Sequence, residues 1–280
     1  LALLRPVKPH AASSGIILPR LRAGGQHGFL AVPGRAAHRE RAFKLHAVAH
    51  QRGGFCVGGV DAHVRVVAQR PQLNRFVVHS RVYARKDIVV SFVVHRSLRI
   101  EDGGATIKLT FNGTESLPQI VQIINDAIAR ETAYDTQNST DKLAEAFMRL
   151  PGFLIRSMIG FVMGLDKYNL LPNAVLEASP FHATVFLTNL KSLGIDSVYH
   201  HQYEFGTNGL FVSMGKEMDA TVIERDGSVG IRPIMNLNIT LDERFCDGLY
   251  FAKSIKILRK YLRDPALLET PLEKKEEDVD

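Results

Sequence analysis

Residues 238–248 read Asn-Ile-Thr-Leu-Asp-Glu-Arg-Phe-Cys-Asp-Gly. Three carboxylates (Asp242, Glu243, Asp247) and one guanidinium (Arg244) fall where an alternating β-run gives way to a long amphipathic stretch. Such a junction can present side chains to a cleft. A carboxylate there can serve as a general base, or it can pair with the arginine beside it as an interface salt bridge. Asp247-Gly248 has the chemistry of a turn and helix cap whatever the activity. Asp242 and Glu243 point to opposite faces if the segment is still a strand, so the two cannot readily act together. Thr188 ends another β-run, where its hydroxyl either does chemistry or is satisfied by backbone.

The segment Asp242–Gly248 resembles the His-His-x-x-x-Asp-Gly motif of the chloramphenicol acetyltransferase-like acyltransferases. It is closer to the Asp-His-Arg-x-x-Asp-Gly form in the acyltransferase component of 2-oxo acid dehydrogenase complexes, with Glu243 standing where the family has its catalytic histidine. Thr184–Leu190 followed by Ser192-Leu193-Gly194 resembles the family's β-run ending in Ser/Thr-Asn-Leu-Gly. Arg225-Asp226-Gly227 and Arg232–Met235 resemble its hairpin and the strand entering the motif, Leu262–Leu268 its usual ending, and Pro71–Asn74 an early helix-to-strand passage. The likeness runs over residues 62–270. It implies an α+β fold, a chloramphenicol acetyltransferase-like two-layer sandwich with a mixed sheet and helices on one face.

The resemblance also implies a chemistry. In that family the histidine takes the proton of a thiol, from coenzyme A or a dihydrolipoyl group, and the thiolate attacks a thioester. A Ser or Thr hydroxyl donates to the oxyanion, and that position falls on Thr188. The site forms between subunits of a homotrimer, so Thr188 would face Glu243 of a neighbour. Asp247 would be a structural acid orienting an arginine and the motif loop, with Arg244 retained beside it. Replacing histidine has a cost. A thiol has a pKa of about 8.5, histidine about 6.5 and glutamate about 4.3, so proton transfer to glutamate is uphill by roughly 3 kcal/mol more, on the order of a hundredfold in rate. His201, in His200-His201-Gln202-Tyr203-Glu204-Phe205-Gly206, is either a displaced base or a loop histidine.

These implications leave two function classes open. One is an acyltransferase using coenzyme A or acyl-CoA as substrate, with a lipoyl domain or a small molecule as acceptor. The other is a non-catalytic trimeric scaffold or acyl-CoA-binding homologue. Asp141-Lys142-Leu143 has helical rather than strand-turn-strand surroundings, so no covalent lipoyl group is expected on this chain. Cys56 and Cys246 have no metal-type spacing, nor do the histidines, so no metal is expected.

The chain has 280 residues, 35 Lys+Arg and 29 Asp+Glu. Nine of the basic residues and one acidic residue lie in residues 1–60, which leaves 26 basic and 28 acidic residues in the remainder. Nucleic-acid binding would rest on the first 60 residues alone, and is not expected. No run of 18 apolar residues and no signal peptide is evident, so a cytoplasmic location is the default expectation.

Residues 1–60 keep neither helical nor strand periodicity and read as an atypical basic segment, either disordered or not the natural N-terminus. The acyltransferase-like domain is expected over residues 61–272, with an acidic tail over 273–280. A helix end is expected over Ala62–Gln69, stopped by Pro71, and strands at 76–79 and 82–84 flank Ser80-Arg81 as a hairpin; further strands are expected near residues 87–95, 106–111, 181–188, 210–215, 219–225 and 229–241. Ser116 begins a helix to Arg130, and Leu249–Leu262 forms the last one, with Leu249, Ala252, Ile255, Ile257, Leu258 and Leu262 mostly on one side. Residues 132–178 read as a helical insertion, with one helix from Thr140 to Met148 and a second, nearly all apolar, from Phe153 to Leu165. The second either packs on the domain or lies in a membrane surface or against a partner.

Overall fold

The computed structural model describes residues 4–6, 40–48, 55–95, 104–133, 151–223 and 226–278. The helix expected over residues 140–148 and the last two residues of the acidic tail lie outside them. In chain order the elements are β1 (Leu4–Pro6), β2 (Glu40–Val48), α1 (Phe55–Gln69), β3 (Arg75–Val78), β4 (Arg81–Arg85), β5 (Ile88–His95) and β6 (Gly104–Phe111). They continue with α2 (Leu117–Ala133), α3 (Gly152–Lys167), α4 (Asn173–Ala178), β7 (Val185–Asn189), β8 (Leu210–Ile223), β9 (Val229–Asp242) and α5 (Gly248–Arg263).

Six strands form one mixed sheet in the order β2-β9-β8-β7-β5-β6. β7 runs parallel to β5 and β8, and the other pairs are antiparallel. Period-2 alternation gives the sheet two different faces. Val90, Leu187, Val212, Leu237 and their neighbours face α1, α2 and α5 in a single core. Ser91, Phe186, Phe211 and Thr240 lie across from one another on the opposite face. A smaller sheet, β1-β4-β3, carries the hairpin expected around Ser80. The expected α+β sandwich, with a mixed sheet and helices on one face, is the observed architecture.

The boundary expected at residue 60 falls inside α1, and strands β1 and β2 also lie in the segment read as lacking order; β2 pairs with β9 along its whole length. The helix end expected over Ala62–Gln69 is the C-terminal part of α1; its start is missed, because every residue from Gly59 to Ala68 is buried and the helix has no polar side to mark it. Three titratable residues are swallowed with it: Asp61, His63 and Arg65. Arg65 donates to the carbonyls of Thr270 (2.7 Å), Leu268 (3.0 Å) and Glu115 (3.2 Å), and lies 3.4 Å from Asp61 Oδ1. These bonds tie the helix to the C-terminal segment and to the entry of α2. His63 is within 2.6 Å of the Gly59 carbonyl, and burial holds its imidazole below the usual histidine range.

Other differences have equally local causes. The strands expected at 210–215 and 219–225 are one strand, β8, with a bulge between Met214 and Glu217. On α5, Leu258 and Leu262 are buried as expected but Leu249 is 68% exposed; the buried face runs through Phe251, Ser254, Leu258, Tyr261 and Leu262, spaced by three, four, three and one. α2 begins as expected: Gln119 Oε1 accepts from the Ser116 backbone N–H (2.8 Å) and hydroxyl (3.0 Å), which satisfies a donor the first turn leaves open. α3 buries no residue along its length, and its Phe153 and Phe161 are two-thirds exposed.

The buried Asp61 has a consequence for pH. Burial pushes its carboxyl from 3.8 up to about 6, against the pull of Arg65. Its folded pKa therefore lies above the unfolded one, so its ionisation costs nothing below about 3.8 and progressively more as pH rises to about 6. In urea unfolding, Asp61→Asn should gain on the order of 3 kcal/mol relative to the parent between pH 4 and pH 7. An unchanged difference across that window would refute the assignment.

Candidate functional site

β9 carries the motif into place. Met235, Leu237, Ile239 and Leu241 pack into the core, while Asn236, Asn238, Thr240 and Asp242 are buried on the other face. Buried amides and carboxylates need partners, and an irregular segment over residues 195–209 supplies them. Asp196 accepts from Asn236 Nδ2 at 3.0 and 2.8 Å, and the Ser197 carbonyl accepts from Asn238 at 3.0 Å. The Val198 N–H donates to Ser213 Oγ (3.0 Å), and Gln202 Nε2 donates to the Thr240 carbonyl (3.0 Å). Gly215 permits this crossing, because a Cβ there would strike the backbone nitrogen of Ser197.

At the strand end the chain turns through residues 243–245 into α5. Phe245 and Cys246 are buried and anchor the turn. Asp247 has extended backbone angles (φ −73°, ψ 160°) and accepts from the Tyr250 N–H at 2.7 Å, so it caps α5. Arg244, beside it in the motif, is held by Asp242. Arg244 Nε lies 2.8 and 2.9 Å from the two Asp242 oxygens, Nη2 lies 2.5 Å from Oδ2, and the Arg244 backbone N–H reaches Oδ1 at 3.0 Å. The turn after Asp242 brings both the backbone N–H and the guanidinium of Arg244 back onto its carboxylate, whereas Asp247 is committed to the helix. Asp242 is thus a site residue that the sequence reading set aside, one position from the residue it singled out.

Asp242 and Arg244 border a cavity of about 510 Å³, closed by Phe76 and the β3–β4 turn, the C-terminal end of α3, and residues 202–208. Asp166 at the end of α3 secures this wall: Oδ1 lies 2.8 Å from His182 Nε2 and Oδ2 accepts from the Gly206 N–H at 2.8 Å. His182 Nδ1 is 2.8 Å from Ser179 Oγ, so both ring nitrogens are engaged. Gly206 has φ +92° and lies against Phe181, where a Cβ would strike the Phe181 carbonyl. Gln202, Asp166 and His182 carry no motif signal. Gln202 lies beside the two histidines that attract attention.

Glu243 is half-buried in the turn, flanked by the two residues that reach the cavity and absent from its lining. Thr188 is half-buried near the end of β7 and pairs in register with Ser213, which pairs with Asn238. Two strand spacings and five residues of rise then separate Thr188 from Glu243, roughly 19 Å. One chain does not bring them together. His201 is exposed, outside the cavity wall, and its carbonyl lies 2.6 Å from His200 Nδ1, whose ring stacks on Phe211 at 4.1 Å. Among the described residues no group of three or more His, Cys, Asp or Glu is placed to hold a metal ion, and no helix is long and apolar enough to cross a membrane.

Residues 207–270 match the family model described as 2-oxoacid dehydrogenases acyltransferase (catalytic domain). No curated protein matches the chain. Among solved structures it is similar to a probable dihydrolipoamide acetyltransferase from Listeria monocytogenes (14% identity, 80% of this chain and 84% of that one, TM-score 0.52). It is also similar to the dihydrolipoamide acetyltransferase of Azotobacter vinelandii (13% identity, 82% and 84%, TM-score 0.53). The cubic core of a pyruvate dehydrogenase multienzyme complex is a third (13% identity, 82% and 84%, TM-score 0.51). These likenesses place the chain in that fold.

Burial, with the charge of Asp247, pushes the Cys246 thiol inside the motif up to about 12, which disfavours its thiolate form. In a Cys56→Ser background it should react with a disulfide reagent at pH 8 at least about a hundredfold more slowly in the native protein than in urea. Equal rates would show the turn to be open.

Proposed function

We propose that the chain is an acyltransferase, moving an acyl group between coenzyme A and a thiol or other acceptor at a site shared by two copies of a homotrimer. The observation that carries this reading is the family-model match over residues 207–270, which spans the strand, turn and helix that present Glu243, Arg244 and Asp247. Thr188 and Glu243 lie far apart within one chain, so Thr188 can serve Glu243 only from another copy, as a shared site requires. Apolar side chains exposed at Leu193, Ile195 and Val198, just beyond β7, and at Ile223, Val229 and Ile231 on the projecting β8–β9 ribbon, offer surface for that contact.

In this reading the Glu243 carboxylate takes the proton of the acceptor thiol, and the thiolate attacks the thioester carbonyl. The Thr188 hydroxyl of the neighbouring copy donates to the oxyanion. Collapse expels the donor thiolate, which recovers the proton from Glu243. Asp242 holds Arg244 beside it. Asp247 maintains the turn by capping α5.

A second reading has its own support. Glu243 replaces a better-matched base and stands outside the cavity lining, as a non-catalytic scaffold or acyl-CoA-binding homologue would allow.

Coenzyme A release from a panel of acyl-CoAs and thiols separates the two. Glu243→Gln and Thr188→Val should each lower turnover by about a hundredfold or more. A mixture of the two variants, refolded together, should recover activity in about a quarter of the sites if the site is shared in a ring. No turnover by a parent protein that is folded and trimeric would favour the second reading.

A further inference from the structure

On the far side of Phe76 lies a second cavity, of about 420 Å³. Its apolar wall is Phe76, Leu171 and Leu176, and its polar wall carries Arg85 and Lys108. Arg85 comes from β4, with its guanidinium 4.2 Å above the Phe76 ring. Its Nη2 donates to the Ala183 carbonyl (3.2 Å), the Thr207 carbonyl (2.7 Å) and Thr207 Oγ1 (2.6 Å), and its Nε is buried without a partner among the described residues. Lys108 stands on the outward face of β6. Its Nζ donates to the Leu176 (2.5 Å) and Ser179 (3.0 Å) carbonyls at the end of α4, which leaves a third ammonium hydrogen.

Neither cation forms an ion pair with a carboxylate among the described residues, so both rest on neutral acceptors. Burial lowers the Arg85 guanidinium to about 9, and burial with the nearby Arg85 charge lowers Lys108 to about 8. Two partly desolvated cations that repel one another are costly unless an anion joins them. Lys86, Asp87, Glu177 and His182 also face this cavity. Glu177 is exposed, and water screens its charge more than that of a buried group. His182 is already held by Asp166 and Ser179.

We propose that this cavity binds a small molecule that carries an oxyanion, phosphate or carboxylate, on an apolar body. The charged end lies between Arg85 and Lys108, and the body lies against Phe76 and Leu171. A volume of this size suits a small ligand. α4 belongs to the segment read from the sequence as an insertion, so this site is built partly from residues outside the matched span and stands whether or not Glu243 is a base.

Calorimetric titration of the full chain with benzoate, phenyl phosphate and neutral benzamide tests the proposal. At least one of the two anions should bind at least about tenfold more tightly than benzamide. Preference for benzoate would make the oxyanion a carboxylate, and preference for phenyl phosphate would make it a phosphate. Lys108→Met should remove the preference with the thermal midpoint retained, and Lys253→Met on exposed α5 surface should keep it. Should Lys108→Met not fold, the parent still decides: anion affinity should fall as pH rises from 7 to 9, while benzamide binding stays level. Equal binding of anions and benzamide, or an anion preference that survives in folded Lys108→Met, overturns the proposal.

Discussion

One strand has to satisfy two environments. On β9 the apolar residues enter a helix-covered core, and the residues between them are two asparagines, a threonine and an aspartate buried on the opposite face. Polar groups removed from water must be bonded or they cost on the order of 1–3 kcal/mol each. The segment over residues 195–209 therefore has little freedom in where it crosses the sheet. Its own carboxylate, carbonyls and amide side chains are the partners that β9 requires. The cavity beside the motif is enclosed between this segment and the end of α3.

The same economy governs the charged residues. Arg65 binds three carbonyls from two distant parts of the chain and so fastens α1 under the sheet. Asp166 joins α3 to His182 and to the Gly206 turn. Asp242 holds Arg244 with a two-residue reach, which leaves Asp247 to cap the helix. Each of these acids holds a contact that fixes the fold around the site. Arg85 and Lys108 are the exceptions, since their partners are neutral and their charges are not met by an acid.

Much of the sheet was legible because alternation is a property of the backbone. A strand with one face in an apolar core must read apolar every second residue, as β9 and β6 do. The hairpin at Ser80, the capped start of α2 and the final helix are legible for similarly local reasons. The start of α1 was not, because a helix buried on all sides has no amphipathic signature. The bulge that merges two expected strands into β8 was not legible either. It depends on Gly215 giving way to a crossing segment met only in three dimensions.

For the candidate site the division is sharper. The chain by itself determined that a carboxylate stands where the resembled family has histidine, that Arg244 follows it and that Asp247-Gly248 begins a helix. Those are facts of identity and short-range geometry. Only the tertiary structure decided which acid holds the arginine, that Thr188 and Glu243 lie apart within one chain, and that Gln202, Asp166 and His182 build the neighbouring walls. It alone placed Arg85 and Lys108, 23 positions apart, around one cavity. The reason is physical: strand pairing and burial set distances between residues remote in sequence, and no local pattern encodes them.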